Sequence, residues 1–243
     1  IISDGQGIGV SEHGYLYSLM ISGMIEVTGD YTCISTNRNA SDIMMLTLTE
    51  TGILKAPNGI AIYSAYAENG ITSATIDGTI AAEMALQIGN KNEVGTINSI
   101  IIGDNALITT TGIGIYLRTP QVDEIEINGE INTGKDAIRI QNTIISQLTL
   151  NESGSIKTAG TYSAIAVVDK SDWSEIALIN LQGSMQTAFA VTLQGASVNI
   201  MQVVFDSDDI KGNSTTPVTL MHIVDSNVDN INMSENTVLT TNI

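Results

Sequence analysis

Residues 125–131 read Ile125-Glu126-Ile127-Asn128-Gly129-Glu130-Ile131, an apolar pair split by one polar residue, a polar-glycine turn, and one further apolar residue. The same unit stands at Leu19-x-Ile21-Ser22-Gly23-x-Ile25, at Ala74-x-Ile76-Asp77-Gly78-x-Ile80 and at Ile179-x-Leu181-Gln182-Gly183-x-Met185. A longer form inserts residues before the glycine, as in Leu46-x-Leu48 with Gly52 and Leu54, or Leu148-x-Leu150 with Gly154 and Ile156. A spacing of two puts alternate side chains on opposite sides of an extended strand, whereas a helix needs three and four. The glycine is expected at a turn that calls for positive φ, which only glycine adopts without steric cost.

Another apolar pair precedes each unit: Ile8/Val10, Thr32/Ile34, Ile60/Ile62, Leu86/Ile88, Ile113/Ile115, Ile138/Ile140, Ile165/Val167, Val191/Leu193 and Val218/Leu220. The first members recur about every 26 residues, with a drift that variable loops explain better than rigid helical repeats would. Three short strands per repeat with no helical segment between them predict an all-β fold, a right-handed parallel β-helix of about nine coils. At ~4.8 Å per coil the rod is on the order of 40 Å long. Leucine-rich repeats would need a leading Leu and a laddered Asn in each unit. A β-sandwich would need hairpins, whereas Asn69-Gly70 and Asn128-Gly129 belong to the repeat.

Composition agrees with such a column. The chain is 43% hydrophobic with a mean hydropathy of +0.18, yet no apolar run approaches the ~20 residues of a membrane-spanning helix. Pro57, Pro120 and Pro217 are expected at loops or strand starts, since proline removes a ladder donor. The repeat runs through residues 1–243 without a linker, so a single β-helix domain is expected. Opening at Ile1 and closing at Ile243 without a cap, it is expected to be an excised fragment of a longer protein. A net charge of −17 argues against nucleic acid and anionic membranes as partners. Cys33 is the lone cysteine, read as a small strand residue; Arg38 alone is thin support for a reactive thiol.

The units Gln147-Leu148-Thr149-Leu150-Asn151-Glu152-Ser153-Gly154-Ser155-Ile156, Ala74-Thr75-Ile76-Asp77-Gly78-Thr79-Ile80 and Glu126-Ile127-Asn128-Gly129-Glu130-Ile131 resemble the coils of autotransporter passenger domains, the type V secreted surface proteins of Gram-negative bacteria. The resemblance covers all nine coils and rests on repeat style, not on a catalytic signature. It implies export across two membranes, display at the bacterial cell surface or secretion, and a C-terminal membrane barrel beyond this chain. Scarce cysteine is similar to that family's habit. More distantly the repeat resembles coils of tailspikes and pectin-degrading enzymes.

Catalytic constellations are thin. Lyase chemistry would need stacked carboxylates holding calcium beside an arginine base. Asp123, Glu124 and Glu126 with Arg118 and Arg139 are the nearest set, but Asp123 and Glu124 are expected in a loop before the second strand, as a solvated face. Asp206, Asp208 and Asp209 with Lys211 read as a polar turn, with a weak calcium site as the alternative. His13 and His222 lie in the first and last coils, too far apart to share a triad. Gly7-Ile8-Gly9 precedes no helix, and Thr47/Thr49 and Thr109/Thr111 are not in register for an ice-binding face. No cofactor and no enzymatic activity are expected.

The loops between first and second strands vary most, and stacking brings them onto one ridge. They carry Glu12 and His13; Arg38 and Asp42; Tyr66 and Glu68; Lys91 and Glu93; Arg118, Asp123 and Glu124; Lys170, Asp172, Trp173 and Glu175; Asp225 and Asp229. Trp173, flanked by acids, is expected outside the core, suited to stacking on a glycan or to a protein hot spot. The expected function is that of a surface-displayed adhesin or self-association module. Its face would be Arg118, Asp123, Glu124, Lys170, Asp172, Trp173 and Glu175. Its partner would be a host-surface protein or glycan, or another copy of itself. A carbohydrate-active enzyme and a passive stalk are the alternatives.

Overall fold

The computed structural model describes residues 1–36, 41–65, 70–90, 95–168, 173–195, 197–213 and 216–240. Its regular structure is all strand, and the named strands pair only in parallel, forming a β-helix with three strand columns. The second column is a nine-stranded sheet running from Tyr15–Ile21 to Asn227–Met233. Its eight steps at about 4.8 Å give a rod about 40 Å long. The first and third columns do not form separate sheets. They join in one 17-stranded sheet, because Ile53–Ser64 and Thr79–Ile88 each run unbroken from the third column of one coil into the first column of the next. Pro57 therefore lies inside a strand, at the register shift between Ala56 and Ile60, and not in a loop or at a strand start.

The register corrects several of the apolar pairs. Ile8, Ile34, Ile62, Leu86, Ile115, Ile138, Ile165, Val191 and Met221 are stacked partners in the first column. In four coils the inward pair is thus Ile34/Thr36, Ile62/Ser64, Ile115/Leu117 and Met221/Ile223, later in the chain than the apolar pattern indicated. In the first two of these coils the reason is a polar residue in an inward position. Thr36 and Ser64 are buried and satisfy each other, Thr36 Oγ1 donating to Ser64 Oγ at 2.8 Å, while Ile60 and Ile113 are only half-buried.

The second column departs from strict period two in every coil. Between stacked pairs such as Val122↔Ile145 and Glu124↔Gln147 one residue is left out of the ladder, and the N–H groups of both Asp123 and Glu124 converge on the Asn98 carbonyl oxygen at 2.8 and 3.3 Å. Two successive side chains then face outward and the strand bends, as at a β-bulge. Asp123 and Glu124 form this outward doublet within the strand Gln121–Ile127, not a preceding loop. The bend also supplies a further inward row, in which Ile43, Ile71, Ile97, Val122, Ile145, Ile176 and Ile200 are fully buried. Each lies three residues before the apolar pair of its own unit, as Val122 does before Ile125.

The corner after the second column shows why glycine recurs there, and the reason is not positive φ. Among the described glycines only Gly89, Gly160 and Gly195 have positive φ. A Cβ on Gly78 would instead lie 2.3 Å from the Gly52 carbonyl oxygen and 2.4 Å from that of Thr49. On Gly183 it would lie 2.2 Å from the Gly154 oxygen and 2.4 Å from the Asn151 oxygen. All four carbonyls are held by backbone hydrogen bonds: Gly52 O and Gly154 O accept from the next coil, from Thr79 N–H at 2.9 Å and Ser184 N–H at 3.1 Å, and Thr49 O and Asn151 O accept within their own turns, from Gly52 N–H at 2.7 Å and Gly154 N–H at 2.9 Å, so they cannot move aside. One coil on, the buried Ser207 donates its hydroxyl to the Gly183 carbonyl at 2.6 Å.

Beside this stack the residue ending the second strand's turn is polar in most coils, and some of these side chains bond from coil to coil. Asn151 Nδ2 donates to Asn128 Oδ1 and to Glu126 Oε1, each at 2.7 Å, and Ser234 Oγ donates to Asp206 Oδ1. A short amide rung thus exists where no laddered Asn was anticipated.

Two predictions follow from the inward, outward and corner assignments. Gly78→Ala, forced against two fixed carbonyls, should cost about 1–3 kcal/mol, whereas Gly23, whose Cβ would meet nothing within 4 Å, should accept alanine without loss. Thermal unfolding of the two variants checks this, and equal melting temperatures would refute the steric reading. Ile127→Asp should cost at least about 3 kcal/mol by placing an unpaired carboxylate in the column. Glu126→Ala should cost about 1 kcal/mol, because it strips acceptors from Asn128 and Asn151 and nothing from the core.

Candidate functional site

The edge where the first column turns into the second is built on small buried hydroxyls. Thr119, Thr143 and Ser174 lie one above another, the Thr119 N–H donating to Thr143 Oγ1 at 3.2 Å and the Thr143 N–H to Ser174 Oγ at 3.3 Å. The Thr143 and Ser174 hydroxyls each satisfy a backbone donor that the turn takes out of the ladder, while Thr119 Oγ1 donates to the Gln121 carbonyl at 3.4 Å. The residues just before them, Arg118, Asn142 and Trp173, occupy the same position in successive coils and project along the edge. Asn142 holds φ at +46°, the left-handed region that asparagine tolerates.

Trp173 is 48% exposed. It closes one side of a shallow recess of about 400 Å³ lined by Ser197, Val198, Asn199 and Asn227. Glu175, Asn199 and Asn227 are register partners, so a carboxylate and two amides form one row, of which Asn199 and Asn227 line the recess. Arg118 is half-buried and donates from Nη1 to the Asn90 carbonyl at 2.8 Å, which ties it back to the preceding coil. Asp123 and Glu124 are exposed on the adjoining outward face two coils before Glu175, and Asp123 Oδ1 accepts from Gln121 Nε2 at 2.9 Å. The structure therefore brings Trp173 and Glu175 together, sets Arg118 on the same edge, and turns Asp123 and Glu124 onto the neighbouring face. Lys170 and Asp172 lie outside the described residues, as do Arg38, Tyr66, Glu68, Lys91 and Glu93.

Sequence reasoning missed Asn199 and Asn227. The available signal was register: Asn199 sits one repeat and Asn227 two repeats further along from Glu175, but no contrast in composition marks them.

Elsewhere on the ridge, Glu12, His13 and Asp225 hold positive φ at tight turns. Asp42 opens the strand Asp42–Leu48, and burial pushes its carboxyl up, offset in part by hydrogen bonds from Gly70 and its own strand. The Asp206, Asp208 and Asp209 turn does not gather its carboxylates. Asp206 is taken by Ser234, Asp208 is exposed, and both Asp209 oxygens accept from Lys211 Nζ at 3.0 and 2.9 Å. Among the described residues no group of three His, Cys, Asp or Glu side chains is placed to hold a metal ion. His222 packs its ring on Phe189 with centroids 5.2 Å apart, in the last first-column strand, a rod's length from His13. Cys33 is fully buried, and desolvation pushes its thiol up to about 11, with a hydrogen bond to the Lys55 carbonyl at 3.2 Å.

Comparison of the chain with protein-family models, with curated proteins and with solved structures finds no match. The parallel β-helix is compatible with a passenger-type rod, and its surface must be read from its own residues.

Cys33 supplies a test of the column itself. Its folded pKa is raised, so between about 9 and about 11 the unfolded thiol ionises while the folded one does not. Folding stability carried by this group is complete below pH 9 and is lost as pH rises through that window. Cys33→Ala should flatten the alkaline fall in melting temperature, and the native thiol should resist alkylation at pH 8 until the rod is unfolded.

Proposed function

We propose that this chain is a non-enzymatic binding rod of the autotransporter passenger type, displayed at a bacterial surface as an adhesin or self-association module. The observation that carries the reading is Trp173, a large ring held out in solvent at a recess lined by Ser197, Asn199 and Asn227, with Glu175 in register beside Asn199. Burying a tryptophan side chain is among the larger single contributions to an interface, and a monomer has no folding reason to leave this one half exposed. Asp123 and Glu124 on the adjoining face add charge that steers a partner and sets its orientation more than it adds affinity. Repetition of the edge from coil to coil suits many weak contacts that sum by avidity.

Cells displaying the chain are the direct test. Trp173→Ala combined with Asp123→Asn, Glu124→Gln and Glu175→Gln should abolish aggregation or host-cell attachment, with the melting temperature nearly unchanged because the charges are solvated. Attachment by the unaltered chain should weaken with added salt, since exposed charges are screened over about 10 Å at 0.1 M. Attachment that survives all four changes would make the rod a passive stalk.

A further inference from the structure

A second recess lies on a different face, over the third column. There the register places Thr109, Asn132, Lys157, Gln186 and Lys211 in one outward row. Glu130 stands in the row beside it, together with Ser155 and Ser184. Above this floor rises a wall made by two long turns that are not on adjacent coils. Asn213, 95% buried, reaches back 53 residues to donate Nδ2 to the Gly160 carbonyl, and Thr216 Oγ1 donates to the same oxygen at 3.5 Å. Thr158 and Thr187 hydroxyls both donate to the Tyr162 carbonyl, at 3.2 and 3.0 Å. Gly160 takes φ of +52°, and Tyr162 stands partly exposed beside it at the rim. The turns are thus pinned before any ligand arrives, which lowers the cost of binding. The groove has a volume of about 550 Å³ and continues into a smaller recess of about 190 Å³, the two sharing Glu130, Asn132, Lys157 and Gln186.

The polar groups on the floor are unevenly committed. Lys211 is held by Asp209, but exposed Lys157 has no ion-pair partner among the described residues. Asn132 donates to Glu130 Oε1 at 2.6 Å while its own Oδ1 is buried without a donor. Amide and ammonium groups therefore follow one another along the outward row as Asn132, Lys157, Gln186 and Lys211, one per coil at ~4.8 Å, about the span of one pyranose unit, with the carboxylates Glu130 and Asp209 at the two ends of the row beside it. Two lysines and two carboxylates balance locally, while the whole chain carries −17, which disfavours polyanions. The apolar surface of the larger recess comes from threonine methyls, Ala159 and the stems of Lys157 and Gln186 and not from large hydrophobic side chains.

We propose that this groove binds an uncharged oligosaccharide lying along the rod axis, its hydroxyls accepting from Lys157 and Gln186 and donating to Glu130. Binding without cleavage is indicated by the carboxylates. Glu130 and Asp209 are separated by three coil steps, about 14 Å, beyond the ~5–9.5 Å at which paired acids hydrolyse a glycosidic bond. The site is independent of the Trp173 edge.

The test is a calorimetric titration of the whole chain with uncharged gluco-, manno-, galacto- and xylo-hexasaccharides, and with oligogalacturonate as the charged comparator. At least one neutral hexasaccharide should bind. Lys157→Ala with Gln186→Ala should weaken it at least tenfold while the unliganded melting temperature stays put, since both side chains are outside the core. Trp173→Ala should leave the titration unchanged. The proposal is overturned if no neutral sugar binds, if only oligogalacturonate binds, or if affinity falls with Trp173→Ala and not with the groove variant.

Discussion

Every coil of this rod must settle onto the previous one at the hydrogen-bond spacing of a parallel sheet, and the corner after the second column is where that demand is tightest. There the carbonyls of Gly52 and Thr49 point up the rod at the Cα of Gly78, and those of Gly154 and Asn151 at the Cα of Gly183. Carbonyls fixed by a ladder or turn hydrogen bond cannot also yield to a methyl group. The choice of glycine is thus made by the neighbouring coil and not by the local dihedral angles. Gly23 differs from these corners, since a Cβ there would meet nothing within 4 Å.

Stacking also divides the interior into zones. Ile, Leu and Val fill the centre, where each fully buried side chain is worth about 1.5–3 kcal/mol. Small hydroxyls take the corners, where the backbone leaves the ladder and its N–H and C=O groups need partners. Thr143 and Ser174 serve neighbouring amides, and Thr133 and Thr110 return their hydroxyls to carbonyls two residues on, at 2.6 and 3.1 Å. A corner built this way is rigid without being apolar, and so it can hold out a side chain such as Trp173.

The repeat was legible because an inward strand position must be apolar in most coils, and a period near 26 residues survives scattered exceptions. Its phase was less legible. Thr36 and Ser64 occupy core positions as a mutually satisfied pair, so a reader who follows only hydrophobicity slides to Thr32/Ile34 and Ile60/Ile62. The bend in the second column was missed for a related reason: Val122 and Ile125 are three apart, a spacing that breaks the alternation on which strand reading depends. Trp173 was readable as exposed from its acidic neighbours. Asn199 and Asn227 were not, since adjacency across coils is a matter of register, and register shifts with every loop. The groove over the third column was wholly hidden, because its wall joins Gly160 to Asn213 across 53 residues and an intervening coil.

A solenoid separates the tasks of its residues more cleanly than a compact domain does. Alternation assigns one side of each strand to the column and leaves the other side unconstrained, so outward rows can carry Lys157, Gln186 and Glu130 without disturbing Ile131 or Ile156 beside them. What stacking then imposes on those rows is spacing. Side chains one coil apart present their polar groups at a fixed interval along a straight line, and a ligand that repeats on a similar scale can engage several at once. The long turns break this regularity at chosen heights, and only where two of them meet does the open face become a groove. Recognition on such a rod therefore depends less on any single residue than on which coils carry long turns, and on which outward rows those turns enclose.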